Sequence, residues 1–234
     1  MKQRVESSDN PRKGAFQAPG RFPIARPKFL DPHDEIHHTK NRLPHWHQPG
    51  ATYFLTFRLA DSIPSRLLAT WSQERDAWLR AHPPPLTLKH ELEFHDRFSG
   101  KLEQWLDAGF GACPLRENRC ATVVSDALRY FDGERYHQYS SVVMPNHIHA
   151  VVALCNPWKI EQIVHSWKRF SARRINEILG RQGPLWQRDY FERLIRDERH
   201  LANCLRYIRR NPEKANLKEG QFVLYEGDLA KSID

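Results

Sequence analysis

Two hydrophobic periods divide this chain into elements. Tyr53, Leu55, Phe57 and Leu59 alternate with Phe54, Thr56 and Arg58, the period-two pattern of a strand. Helical spacing follows from about Ser65 to Leu79 and stops at His82-Pro83-Pro84-Pro85, a run no helix can cross. Residues 86–110 read as a second helical excursion closed by Gly109 and Gly111. Thr122 to Phe131 then reads as a helix, His137 to Met144 as a strand, and residues 147–154 as a further strand. Asn156-Pro157 offers an N-cap with proline at the first helical position. The helix behind it runs to about Leu179, with Ile160, Ile163, Val164, Trp167, Ile175, Ile178 and Leu179 as its apolar stripe. Gly180 and Gly183 close it, a short strand spans Phe191 to Ile195, and a last helix runs from about Glu198 to Arg210.

The order is strand, helix, strand, strand, helix, strand, helix. It predicts an α+β fold, a ferredoxin-like split βαβ antiparallel sheet with an extra C-terminal helix that carries Tyr207. RNA-recognition modules and nucleases share this architecture, so fold alone does not decide function. The main domain is expected over 43–225, with a helical insertion near 84–115 and a tail at 226–234. Residues 1–42 mix Pro, Gly, Arg, Ser and Asp without a sustained apolar period and read as a flexible basic arm. Asp34-Glu35-Ile36-His37-His38 within it has metal-binding composition but reads as a solvated loop.

Composition narrows the partners. The chain has 234 residues, 40% of them hydrophobic, enough for one substantial core. Its formal charge of +8, before any contribution from thirteen histidines, favours a polyanionic partner. No apolar run approaches a spanning helix, and no secretory signal stands at the N-terminus. Cys113, Cys120, Cys155 and Cys204 lack a C-x-x-C pair and suit free thiols in a reducing cytoplasm.

The candidate chemistry lies in Met144-Pro145-Asn146-His147-Ile148-His149. Alternation puts His147 and His149 on one strand face, separated by about 6.6 Å of rise, close enough to grip one divalent cation. Ile148, Ala150, Val152 and Leu154 take the opposite face. Taken alone, such a pair serves structure as often as it holds metal. In the last helix, Leu201, Cys204, Leu205 and Ile208 form the buried stripe. Tyr207 falls about 110° from the centre of that stripe and Asn211 about 70° off, on the same flank. Pro212 disfavours helical geometry for Asn211, so the helix is expected to end there and free its amide. Alone, this tyrosine and asparagine read as a surface residue and a C-cap.

Together these motifs resemble the REP-associated tyrosine transposases, members of the single-tyrosine HUH endonuclease superfamily. The matching residues are Leu43-Pro44-His45-Trp46 with Gly50-Ala51-Thr52-Tyr53-Phe54, and Val142-Val143-Met144-Pro145-Asn146-His147-Ile148-His149. They continue with Ser166-Trp167-Lys168, Leu185-Trp186-Gln187-Arg188, and Tyr207-Ile208-Arg209-Arg210-Asn211-Pro212. The resemblance implies that His147 and His149 are metal ligands, Asn211 a third, and Tyr207 the nucleophile. It implies a Mg²⁺ or Mn²⁺ cofactor, although imidazole softness alone would sooner suggest zinc. The implied reaction cleaves single-stranded DNA beside hairpin repeats and leaves a 5′-phosphotyrosine and a free 3′-hydroxyl.

The basic residues Lys168, Arg169, Arg173, Arg174 and Arg188 are expected to track a DNA backbone, and Trp186 and Trp46 to stack on unpaired bases. Tyr190 and Tyr53 read as strand residues and weaker nucleophile candidates. The expected partner is single-stranded or hairpin DNA like a repetitive extragenic palindrome, with a homodimer as a candidate assembly. A non-catalytic nucleic-acid-binding module is the alternative, although binding alone requires neither the histidine pair nor the tyrosine. A zinc hydrolase is disfavoured, because no H-E-x-x-H pattern is present.

Overall fold

The computed structural model describes residues 26–31, 33, 37–40, 44–83 and 87–234. Most of the expected N-terminal arm, Asp34 to Ile36 of the acidic stretch, and Leu43 lie outside the described residues. The side chains of His37, His38 and Trp46 are also outside, so base stacking by Trp46 cannot be placed.

The strands are β1 (His37–Lys40), β2 (Pro44–His47), β3 (Thr52–Arg58), β4 (Tyr136–Val143), β5 (His147–Leu154), β6 (Phe191–Leu194) and β7 (Val223–Glu226). β1 and β2 pair as a separate two-stranded sheet, and the others form an antiparallel sheet in the order β6-β3-β5-β4-β7. Removing the edge strand β7 leaves the fourth-first-third-second order of the ferredoxin-like fold. β5 lies at its centre, with Arg58 opposite His147 and Thr56 opposite His149 on β3.

The helices are α1 (Ser65–Ala81), α2 (Leu88–Phe94), α3 (Gly100–Asp107), α4 (Asn118–Arg129), α5 (Ile160–Leu179), α6 (Glu198–Lys214) and α7 (Asp228–Lys231). A π turn, His95–Ser99, joins α2 to α3. Strand alternation sends Tyr53, Leu55, Phe57, Ile148 and Val152 to one face, where Val124 and Leu128 of α4 and Ile163, Val164 and Trp167 of α5 cover them. Val142, Val151 and Ala153 point the other way, against Leu201, Cys204, Leu205 and Ile208 of α6. The sheet is therefore covered on both faces, and α6 lies on the face that carries both histidines.

Four expectations change. The helix expected from Asn156-Pro157 begins at Ile160, where the Lys159 N–H donates to Gln162 Oε1 at 3.0 Å. Asn156-Pro157 belongs to the turn before it. The last helix does not end at Asn211 but continues through Pro212 to Lys214. The proline lacks only the N–H that would reach the Ile208 carbonyl, and burial of Asn211 and Pro212 against the sheet keeps them in register. The arm is tied to the sheet well before residue 43. The Leu30 N–H donates to the Ile195 carbonyl and the Thr52 N–H to the Lys28 carbonyl, both at 2.8 Å. Phe29 and Leu30 pack on opposite sides of the sheet, which gives this segment an apolar reason to stay. Finally, residues 226–234 are not a loose tail. Arg209 donates to the Ala230 and Ile233 carbonyls at 2.7 and 2.8 Å and pairs with Glu226 at 2.9 Å.

The insertion and α1 together form a small unit with its own core, Ile63, Trp71, Trp78, Phe98, Leu102 and Leu106. Trp71 donates its indole N–H to the Phe98 carbonyl at 3.0 Å and meets Phe191 edge to face, which docks the unit on β6. The four cysteines are free thiols. Among the described residues, no helix is long and apolar enough to cross a membrane.

Candidate active site

His147 opens β5 and is fully buried. Its Nδ1 lies 2.8 Å from Asn146 Oδ1. Asn146 Nδ2 donates to the carbonyls of Leu106 and Phe110, each at 3.2 Å, which fixes the amide so that its oxygen faces the ring. The imidazole must then carry its proton on Nδ1 and leave Nε2 with a bare lone pair. That Nε2 is buried and has no hydrogen-bond partner.

His149 sits two residues on, its ring centroid 4.8 Å from that of His147. Its Nδ1 lies 2.8 Å from Thr56 Oγ1, and its Nε2 lies 3.5 Å from the Tyr207 hydroxyl. Phe54 stacks on the ring at 5.5 Å. Burial holds the His147 pKa down at about 3 and that of His149 well below the usual range. Both imidazoles are neutral at physiological pH, the form a metal ligand requires.

α6 brings the other residues across this face. Tyr207 meets His149 edge to face at 5.1 Å, and Lys214 Nζ lies 4.8 Å from the centre of the tyrosine ring. Asn211, one turn beyond Tyr207, is fully buried. Its amide interacts with His147 and Tyr207, yet neither Oδ1 nor Nδ2 has a well-formed hydrogen bond. The structure therefore assembles His147, His149, Tyr207 and Asn211 in one place. Among the described residues, no three His, Cys, Asp or Glu side chains cluster as metal ligands. The donor set available is two imidazoles and one amide oxygen, and the unpaired His147 Nε2 and Asn211 Oδ1 fit a small divalent cation.

Sequence reasoning missed two acidic residues here. Glu103 and Asp107, one turn apart on α3, both face Tyr207. Burial raises both carboxyl pKa values, and Lys214 opposes the rise. Burial, reinforced by these two carboxyls, raises the phenol pKa of Tyr207 above its usual value. Their i, i+4 spacing is visible in the sequence, but nothing local tells where the insertion docks.

The proposed DNA-binding residues fare differently. α5 covers the sheet face opposite Tyr207, so its basic side chains do not line this site. Lys168 is not free to track a strand, because its Nζ donates to the carbonyls of Gln187, Arg188 and Asp189 at 3.0–3.2 Å. Burial lowers its pKa to about 8. Trp186 is core rather than a stacking platform, with its indole N–H on Ser171 Oγ at 3.0 Å and its ring against Phe57. Arg173 and Arg174 both pair with Glu177, while Arg169 and Arg188 are exposed. Tyr53 and Tyr190 are buried with the α5-side core, away from the histidines.

Comparison with known proteins agrees with the resemblance. No curated protein matches the chain in sequence. A solved REP-associated tyrosine transposase bound to a REP hairpin is 14% identical, with a TM-score of 0.44 over 77% of this chain and 77% of that one. A protein assigned as a transposase from Deinococcus radiodurans R1 is 16% identical, with a TM-score of 0.33 over 70% of this chain and 93% of that one. Residues 117–211 match the model of the family described as "Transposase IS200 like". The matched segment contains both histidines, the tyrosine and the asparagine.

Proposed function

We propose that this protein is a metal-dependent single-strand DNA endonuclease and strand transferase that acts on hairpin-bearing repeats through a 5′-phosphotyrosine. The observation that carries the reading is the Tyr207 hydroxyl, set 3.5 Å from His149 Nε2 and beside buried, unpaired donors on His147 and Asn211. Each buried polar atom left unpaired costs roughly 1–3 kcal/mol. A binding module has no reason to retain that cost, and the transposase-family match favours the catalytic reading over it.

A divalent cation such as Mg²⁺ or Mn²⁺, held by His147, His149 and Asn211, would supply polarisation of the scissile phosphate and neutralise charge that develops there. Asn146 and Thr56 keep the two rings oriented through their Nδ1 atoms. Phe54 and the α6 stripe exclude water from behind them. Tyr207 Oη attacks phosphorus in line and forms an O–P bond as the bond to the 3′-oxygen breaks. The phosphotyrosine retains the phosphodiester's free energy, so a 3′-hydroxyl can reverse the step and join strands without a nucleotide cofactor. Lys214, over the tyrosine ring, stabilises negative charge on the phenolic oxygen or the phosphate.

The test is incubation of the full-length protein with end-labelled single-stranded DNA that folds into a hairpin with unpaired flanks. Cleavage with a covalent protein adduct is expected in Mg²⁺ or Mn²⁺ and lost in chelator. Equal cleavage of fully paired duplex would contradict the hairpin preference, and undiminished cleavage in chelator would contradict the metal.

A further inference from the structure

The insertion helix α3 does more than buttress the site. Leu102 and Leu106 face inward to the tryptophan core, which turns Glu103 and Asp107 together toward α6. The helix is held there by the two Asn146 amide bonds to the Leu106 and Phe110 carbonyls, beside His147 itself. The Glu103 carboxyl interacts directly with the Tyr207 hydroxyl, and Lys214 lies next to both.

The basic groups near that hydroxyl are His149 Nε2 and the Glu103 and Asp107 carboxylates. If the proposed function holds, His149 donates its lone pair to the cation, and of the two carboxylates it is Glu103 that hydrogen-bonds the hydroxyl. We infer that Glu103, supplied by the insertion, is the proton acceptor that activates Tyr207.

In the forward step the Tyr207 O–H bond breaks and its proton passes to a Glu103 carboxylate oxygen. The phenolic electron pair forms the bond to phosphorus, and the departing 3′-oxygen takes a proton from water. In the rejoining step the incoming 3′-hydroxyl loses its proton to water, and Glu103, now a carboxylic acid, returns one to the departing phenolate. A free phenol has a pKa of about 10, so little phenolate forms at neutral pH without a dedicated base. Burial raises the Glu103 carboxyl toward the range of an effective base. The charged groups around it are Asp107 on α3, Lys214 on α6 and Arg193 on β6, with the neutral Tyr207 phenol as its hydrogen-bond partner.

The test is Glu103→Gln in the full-length protein, read on adduct formation, pH profile and metal affinity. A positioned base contributes about 10²–10⁴-fold, so the adduct rate should fall by that factor at neutral pH. Mn²⁺ affinity and hairpin binding should match wild type. The wild-type rate should level off once the carboxylate is ionised, whereas the variant's residual rate should keep rising with pH. Glu103→Asp keeps the carboxylate and should retain the wild-type shape of the profile at a lower rate, which also guards against misfolding of the glutamine variant. A Glu103→Gln rate and profile equal to wild type would overturn this inference alone. A loss of Mn²⁺ affinity in Glu103→Gln would overturn it by making Glu103 a ligand. No adduct in the wild-type protein would overturn both this inference and the function beneath it.

Discussion

At the scale of single residues, the site depends on which nitrogen of each imidazole is bare. Asn146 decides this for His147, and its other amide atom is committed to two carbonyls of the insertion. Asn146→Ala should therefore weaken metal affinity about 10–100-fold, the usual effect of losing a ligand's supporting bond, as measured by Mn²⁺ titration. Replacing His147 or His149 with Ala should abolish cleavage while the protein remains folded, since Ile148 and Val152 hold the strand from its other face. A variant that cleaves at the wild-type rate would remove that histidine from the site. The same burial makes a prediction about pH. The folded pKa values of both histidines lie below the unfolded value, so the unfolded chain binds more protons as pH falls. Stability of the metal-free protein should be level above about pH 6.5 and decline below it. The slope should reach roughly 1.4 kcal/mol per pH unit per histidine. Urea melts in chelator check this, and a melt unchanged between pH 4 and pH 6.5 would contradict it.

Among the elements, β3, β5 and α5 were readable because one face of each meets a core, whereas β7, whose Val223 and Leu224 also pack on the cores, was not. β5 spans the residues its alternation predicted, and the α5 stripe matches the buried Ile160, Ile163, Val164, Trp167 and Ile175. Legibility failed where tertiary packing overrules local preference. Pro212 argued for a helix end, but burial of Asn211 carries α6 one turn further and places its amide beside His147. Trp186 looked available for stacking because a sequence does not show that Ser171 waits for its indole N–H. Trp186→Ala should accordingly destabilise the fold by about 3–5 kcal/mol and leave hairpin affinity of the folded protein unchanged. A selective loss of DNA binding at normal stability would restore the stacking role. Glu103 and Asp107 were invisible for a related reason, since only the docking of the tryptophan core on β6 brings α3 over the site.

For the whole molecule, the two faces of the sheet divide the work. α6 and the insertion enclose the site on one face, while α4 and α5 complete the core on the other. The formal charge of +8 predicts hairpin affinity that falls steeply with salt, with a log–log slope set by the number of phosphates neutralised. The α5 arginines face away from Tyr207, so any contribution they make to that slope comes from DNA that passes around the sheet edge. Tyr207 should become joined to the strand it cuts, and peptide mapping of the trapped protein–DNA complex decides this. A single adduct is expected on the peptide that contains Tyr207, absent from Tyr207→Phe although that variant still folds and binds the hairpin. An adduct on Tyr53 or Tyr190, or cleavage with no tyrosine attached, would contradict it.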